Sequence, residues 1–299
     1  MIENRLIWLF LLVSQFVFSQ IKGVVKDSIS GEPIPYVNIW VESETIGTTS
    51  EPNGSFSLDI KEEKVLVFSA LGYEVKKASS KTDIILLKPK VFELKEVVVS
   101  RPKRNKKIKI NVFKKNKIKV FYGAGLNPTI IAKRIEPKEQ IFKFPYLKEI
   151  NFFTSCQISK AKIILRFFEI DDEGKPGNDL LDENIIIEVK KGELSNKLNL
   201  EKYNIRIPHE GFYIAFEWMI IDDNKHIFTY TLNEQVDKKI TKKGMNYQPS
   251  IGTIPSDNST SWQYSKGKWF RREKFEKDIN VSDYQYKYGE LAIELTLTN

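Results

Sequence analysis

The chain has 299 residues, 41% hydrophobic and 12% aromatic, with a formal charge of +8. That composition excludes an intrinsically disordered protein, and the length suits a leader followed by two ordinary domains. The one cysteine excludes an internal disulfide, and two histidines leave little from which to build a zinc centre.

Arg5 precedes an unbroken apolar run from Leu6 to Val13, which Val17-Phe18-Ser19 closes with small or modest side chains. The pattern predicts a secretory signal peptide over residues 1–19, cleaved after Ser19. The run is shorter than the ~20 residues a membrane span needs, so no transmembrane span is expected after cleavage. No cysteine follows for lipid attachment. An exported protein has no nucleic acid as its natural partner.

From Ile21 to Tyr73 short strands alternate with tight turns. Gly31-Glu32-Pro33 reads as a turn, and Val37, Ile39 and Val41 alternate with Tyr36, Asn38 and Trp40 in the two-residue period of a pleated strand. Pro52-Asn53-Gly54 is a second turn, because Asn and Gly tolerate positive φ. Phe56 and Leu58 leave it in alternation, and Val65 to Phe68 is a fully apolar strand. Ile84–Leu87 and Glu96–Val99 are expected to close this domain, placing it at residues 20–100.

Gly23-x-Val25-x-Asp27, GEPIPYVNI at 31–39, GTTSEPNGSFSL at 47–58 and LVFSALGY at 66–73 resemble the carboxypeptidase regulatory-like domain. The resemblance implies a transthyretin-like β-sandwich of the kind found at the N-termini of TonB-dependent receptors of Gram-negative bacteria, with no peptidase chemistry of its own. Residues 94–100 (LKEVVVS) also resemble the TonB box that follows this domain in receptors, where an extended segment adds to a partner's sheet edge. A last edge strand is the other reading. A receptor barrel would need more chain than remains.

Residues 101–119 hold ten Lys and Arg and no acid. Without them the chain keeps 37 basic residues against 39 acidic ones, so its basicity is a local patch. Lys103, Arg104, Lys106 and Lys107 belong to a basic linker and are the candidate anion-binding residues, for acidic polysaccharide or anionic lipid. Ile108, Ile110 and Val112, then Ile118 and Val120 beyond Lys114-Lys115-Asn116, predict a half-buried hairpin whose lysines block edge pairing.

Residues 120–299 keep strand periodicity. Apolar runs at Thr129–Ile135, Ile150–Phe153, Ile163–Phe168, Ile185–Val189, Tyr213–Trp218, Ile227–Tyr230 and Leu291–Leu297 predict a second β-sandwich, jelly-roll-like, and thus an all-β chain. Short helices or loops are expected at Lys202–Arg206 and Asn233–Lys243. The segments 169–181 and 198–219 resemble a jelly-roll accessory domain of bacterial envelope proteins, which supports the same fold.

No motif names a reaction. His209 and His226 begin neither HxxE nor HExxH, and no G-x-S-x-G elbow is present. Gly123-Ala124-Gly125 lacks a third glycine, since Pro128 stands there. Cys156, in an apolar run without basic neighbours, is expected to be a buried thiol. Asp171, Asp172 and Asp179 could gather oxygen ligands around calcium, the one cofactor considered, although acids at hairpin tips are usually solvated. Trp262, Tyr264 and Trp269, beside Arg271 and Arg272, could stack on sugar rings or pack across strands. The reading is an exported, non-enzymatic envelope protein of the periplasm or outer-membrane surface, binding a glycan or protein. The rivals are a hydrolase whose acids converge only in the fold, carbohydrate-active or peptide-cleaving, and a TonB-linked accessory acting through residues 94–100.

Overall fold

The computed structural model describes residues 20–90, 106–136, 139–235, 238–277 and 279–299. The leader at 1–19, the segment 94–100, and Lys103 and Arg104 lie outside the described residues. Within them the fold is all-β, with the short helix Glu139–Lys143 and four single 3-10 turns beside twenty strands.

The N-terminal sandwich contains β1 (Gln20–Asp27), β2 (Asn38–Val41), β3 (Gly47–Thr49), β4 (Ser55–Asp59), β5 (Val65–Ser69), β6 (Lys76–Ser79) and β7 (Ile84–Leu87), of which β3 and β6 add to the strands expected. One sheet is β4-β1-β7 and the other β3-β2-β5-β6. Their facing apolar positions, among them Val25, Ile39, Phe56, Leu66, Phe68 and Ile85, close into one core. Asp27 explains why its motif position is acidic. Its Oδ1 accepts the N–H groups of Ile29 (2.7 Å) and Ser30 (2.9 Å), and the Tyr73 hydroxyl donates to Oδ2 at 3.0 Å. The first and last motif blocks are thereby tied together. At the Asn53-Gly54 turn Gly54 has φ +75°, and a Cβ there would stand 2.6 Å from the Val25 carbonyl oxygen. Only glycine fits that position.

The second body contains β8 (Lys107–Ile110), β9 (Phe121–Ala124), β10 (Thr129–Ile135), β11 (Tyr146–Ile170), β12 (Pro176–Asp179), β13 (Ile185–Asn199), β14 (Phe212–Trp218), β15 (Lys225–Gln235), β16 (Lys238–Ser256), β17 (Ser261–Ser265), β18 (Lys268–Arg271), β19 (Tyr288–Leu291) and β20 (Ile293–Thr298). Two runs expected as separate strands, Ile150–Phe153 and Ile163–Phe168, are the two halves of β11. In a straight strand Phe152 and Leu165 would stand about 43 Å apart. Yet Leu165 pairs with Phe216, whose ring centroid lies 4.8 Å from that of Phe152. The β11–β13 ribbon therefore folds back on itself, at the register shift between Cys156 and Lys160. One half carries β14, β10, β17 and β18, the other carries β20 and β8, and the core lies between.

Two local expectations are corrected. Ile108 and Ile110 do not form a hairpin with Ile118 and Val120: β8 pairs with β20, and Lys115–Lys117 is a 3-10 turn. Alternation marks a pleated face, whereas the partner was about 185 residues away. Within Asn233–Lys243, expected as helix or loop, the described residues belong to the paired strands β15 and β16, while Glu201–Tyr203 does form a 3-10 turn.

Candidate functional site

Strand β2 is buried on both faces, and that burial builds the site. Ile39 and Val41 point into the N-terminal core, while Asn38 (5% exposed) and Trp40 (4%) point the other way, against the second body. The seam is polar. Asn127 Oδ1 accepts the Gly47 N–H (3.2 Å), Thr49 Oγ1 accepts that of Ile220 (3.0 Å), and Glu51 Oε1 accepts that of Asp222 (2.8 Å). Three residues of the GTTSEPNGSFSL block thus dock the second sandwich.

Arg166 is the charged centre of the seam. In register it faces Ala215, which puts Glu217 on the diagonal, and β12 brings Asp179 alongside. Its guanidinium donates through Nε and Nη2 to Asp179 (2.9 and 2.5 Å) and through Nη1 to Glu217 (2.7 Å). The Asn38 amide donates to the other oxygen of Glu217. Burial works against the charge on Arg166, but the pull of Glu217 and Asp179 outweighs it and holds the group above its ordinary pKa. Two carboxylates share one guanidinium. Two further buried atoms, Asn38 Oδ1 and Trp40 Nε1, have no partner among the described residues. An unsatisfied buried polar group costs about 1–3 kcal/mol, so the seam is not arranged for stability alone.

Aromatic rings complete it. Trp40 meets Tyr264 edge-on at 6.3 Å, Tyr264 meets Trp269 at 5.2 Å, and Trp269 meets Phe168 at 5.5 Å. Arg166 lies 4.7 Å over the Phe168 ring. Burial pushes the Tyr264 hydroxyl upward in pKa and keeps it a donor. Between these groups is a cavity of about 470 Å³.

Of the expected site residues, Tyr264, Trp269 and Asp179 come together at this cavity. Trp262 does not: it packs on the cluster of Ile130, Ala132, Tyr213 and Ala215, with Arg271 5.0 Å over its ring. Trp262 thus packs across strands, the second of the two readings. Arg272 leaves for the opposite side, 4.1 Å over Tyr122. The three acids of the calcium reading do not gather. Asp171 Oδ1 is taken by the N–H groups of Glu173 and Lys175, Asp179 is held by Arg166, and Asp172 is exposed. Among the described residues no group of three or more His, Cys, Asp or Glu could hold a metal. Cys156 is buried, and burial pushes its thiol up. His209 stacks on Phe142 and His226 on Phe228. Lys106 and Lys107 are exposed at the start of β8.

Sequence reasoning missed Arg166, Glu217, Asn38 and Trp40 as site residues. The signal was present: Arg166 and Glu217 are lone charges inside otherwise apolar strand runs, IILRFF and FYIAFEWM. A charge in such a run is tolerated only with a partner.

Residues 21–99 match the family model of the CarboxypepD_reg-like domain. A stretch of 80 residues is 35% identical to the TonB-dependent receptor SusC of Bacteroides thetaiotaomicron, covering 26% of this chain and 8% of that receptor. A stretch of 105 residues is 30% identical to the TonB-dependent receptor P3 of Formosa agariphila, covering 33% of this chain and 10% of that receptor. The likeness thus spans a tenth or less of these curated relatives. No helix among the described residues is long and apolar enough to cross a membrane.

Proposed function

We propose that this is an exported, non-enzymatic protein of the bacterial envelope, a binding or assembly module for a glycan or protein at the outer membrane. The observation that carries the reading is the match of residues 21–99 to the CarboxypepD_reg-like domain, together with the likeness of part of the chain to two TonB-dependent receptors. The seam supports it, because the domain and the second sandwich dock through polar contacts, two of them buried. A binding role fits the chemistry better than hydrolysis. Asp179 and Glu217 are both bonded to one guanidinium, which leaves neither free as a general acid or base.

The basic stretch supplies an attachment to anionic material. Lys109 pairs with Glu294, but Lys106, Lys107, Lys114, Lys117 and Lys119 are exposed without a carboxylate partner among the described residues. Near an anionic membrane each such charge contributes about 1 kcal/mol.

Fractionation of cells making the tagged full chain tests the envelope reading. The expected product begins at Gln20 and follows the outer membrane; a cytoplasmic protein retaining Met1 would overturn it. For the attachment, a variant with Lys103, Arg104, Lys106 and Lys107 changed to Gln should lose salt-sensitive binding to anionic liposomes. Equal binding by both proteins would remove that role.

A further inference from the structure

The seam cavity has a composition that packing does not require. Its volume, about 470 Å³, lies within the range of small-molecule sites, roughly 300–1,000 Å³, and domain junctions are where such sites concentrate. The charged residues in its wall balance, Lys90 and Arg166 against Glu169 and Asp179. An anion finds no net positive field there, and an organic cation approaching the rings would face the guanidinium on Phe168. A purely apolar guest would leave the wall's polar atoms unpaired.

We propose that this cavity binds a neutral carbohydrate, one or two units of a glycan chain; the inference rests on the binding role above and gives it a site. Trp40 and Asn38 stand two residues apart on one face of β2 in the cavity wall, and each carries a buried polar atom without a partner, an indole donor and an amide acceptor. A hydroxyl, of which a sugar carries several, can both accept from an indole N–H and donate to an amide oxygen. Each Asp179 oxygen takes one hydrogen bond from Arg166 and keeps acceptor capacity for another. Trp269 and Tyr264 are part-exposed at the same cavity, and their rings suit the C–H faces of a pyranose. Neither sandwich holds the site alone. Asn38 and Trp40 come from the N-terminal body, while Arg166, Asp179, Tyr264 and Trp269 come from the second.

The test uses the purified mature chain in affinity gels and tryptophan-fluorescence titrations. The probes are neutral laminarin, xylan, dextran and galactan, with alginate and spermine as charged controls. At least one neutral polysaccharide should retard and quench the protein. Trp269→Ala and Trp40→Phe should each weaken that binding about tenfold, and Phe270→Ala, a 48% exposed ring outside the cavity wall, should not. Trp40→Phe keeps an aromatic ring and loses only the N–H donor and some volume, so it decides the matter if Trp269→Ala fails to fold. The proposal is overturned if no neutral probe binds, if only alginate or spermine binds, or if folded Trp40→Phe and Trp269→Ala bind as the wild type does. An envelope protein that binds no neutral glycan loses the site and keeps its location. A cytoplasmic protein that binds one keeps the site and loses the envelope role.

Discussion

The Asn38 amide donates to the Glu217 carboxylate across the seam, joining residues 179 positions apart in the chain. Glu217 in turn holds Arg166, and Arg166 holds Asp179, so one polar chain runs from the N-terminal sandwich into the second. Its members depend on one another. Arg166 is the member the rest depend on: removing it leaves two carboxylates without their counter-charge, which is the expensive way to break such a network.

Replacing Arg166 with Met should therefore destabilise the protein by about 3–5 kcal/mol, since two carboxylates lose their counter-charge. Arg166→Lys should recover only part of this, because an ammonium cannot reproduce the paired contact with both Asp179 oxygens. The urea midpoint of each variant measures it. An Arg166→Met protein as stable as the wild type would show that the network is energetically idle.

Glu51 makes a prediction of the opposite sign. Burial raises its pKa, with the Asp222 N–H opposing. The folded state holds the proton more tightly than the unfolded state does. Its contribution to stability is thus full below the ordinary value of 4.5 and is lost as pH rises through the raised one. Glu51→Gln keeps an acceptor for Asp222 and should gain on the wild type as pH rises from the ordinary value of 4.5 through the raised one. Parallel stability curves over that range would refute the account.

Gly54→Ala should cost about 1–3 kcal/mol, because the turn needs φ +75° and a Cβ would crowd Val25 and Pro33. Thermal melting of the mature chain with and without the substitution is enough to see it. An unchanged midpoint would mean that the turn can rearrange.

Cys156 should resist a thiol reagent near pH 8 in the native protein and react fully in denaturant. Its thiol is buried and pushed up by that burial, and Sγ lies 3.3 Å from the Ile158 carbonyl oxygen. Rapid native labelling would place the thiol at the surface.

The N-terminal sandwich was legible because its signals are local. Asp27, Asn53-Gly54 and the alternation around Ile39 each act over a few residues, and the order of strands follows from them. The same alternation around Ile110 misled, because a pleated face does not name its neighbour, and β20 lies at the far end of the chain. Pairing over such separations is decided by the total burial of the fold, not by the segment.

The sequence by itself determined that this chain is all-β, where several strands and both tight turns of its first domain lie, and which domain family that stretch resembles. Local backbone preference and two-residue periodicity suffice for that. Only the tertiary structure decided that Asn38 and Trp40, on the outward face of β2, would be covered and not solvated. It also brought Tyr264, Trp269 and Asp179 to the same cavity and sent Trp262 and Arg272 away from it. The reason is geometric. The fold-back of the β11–β13 ribbon and the register of β14 and β12 set which side chains meet Arg166, and neither is written in any one segment.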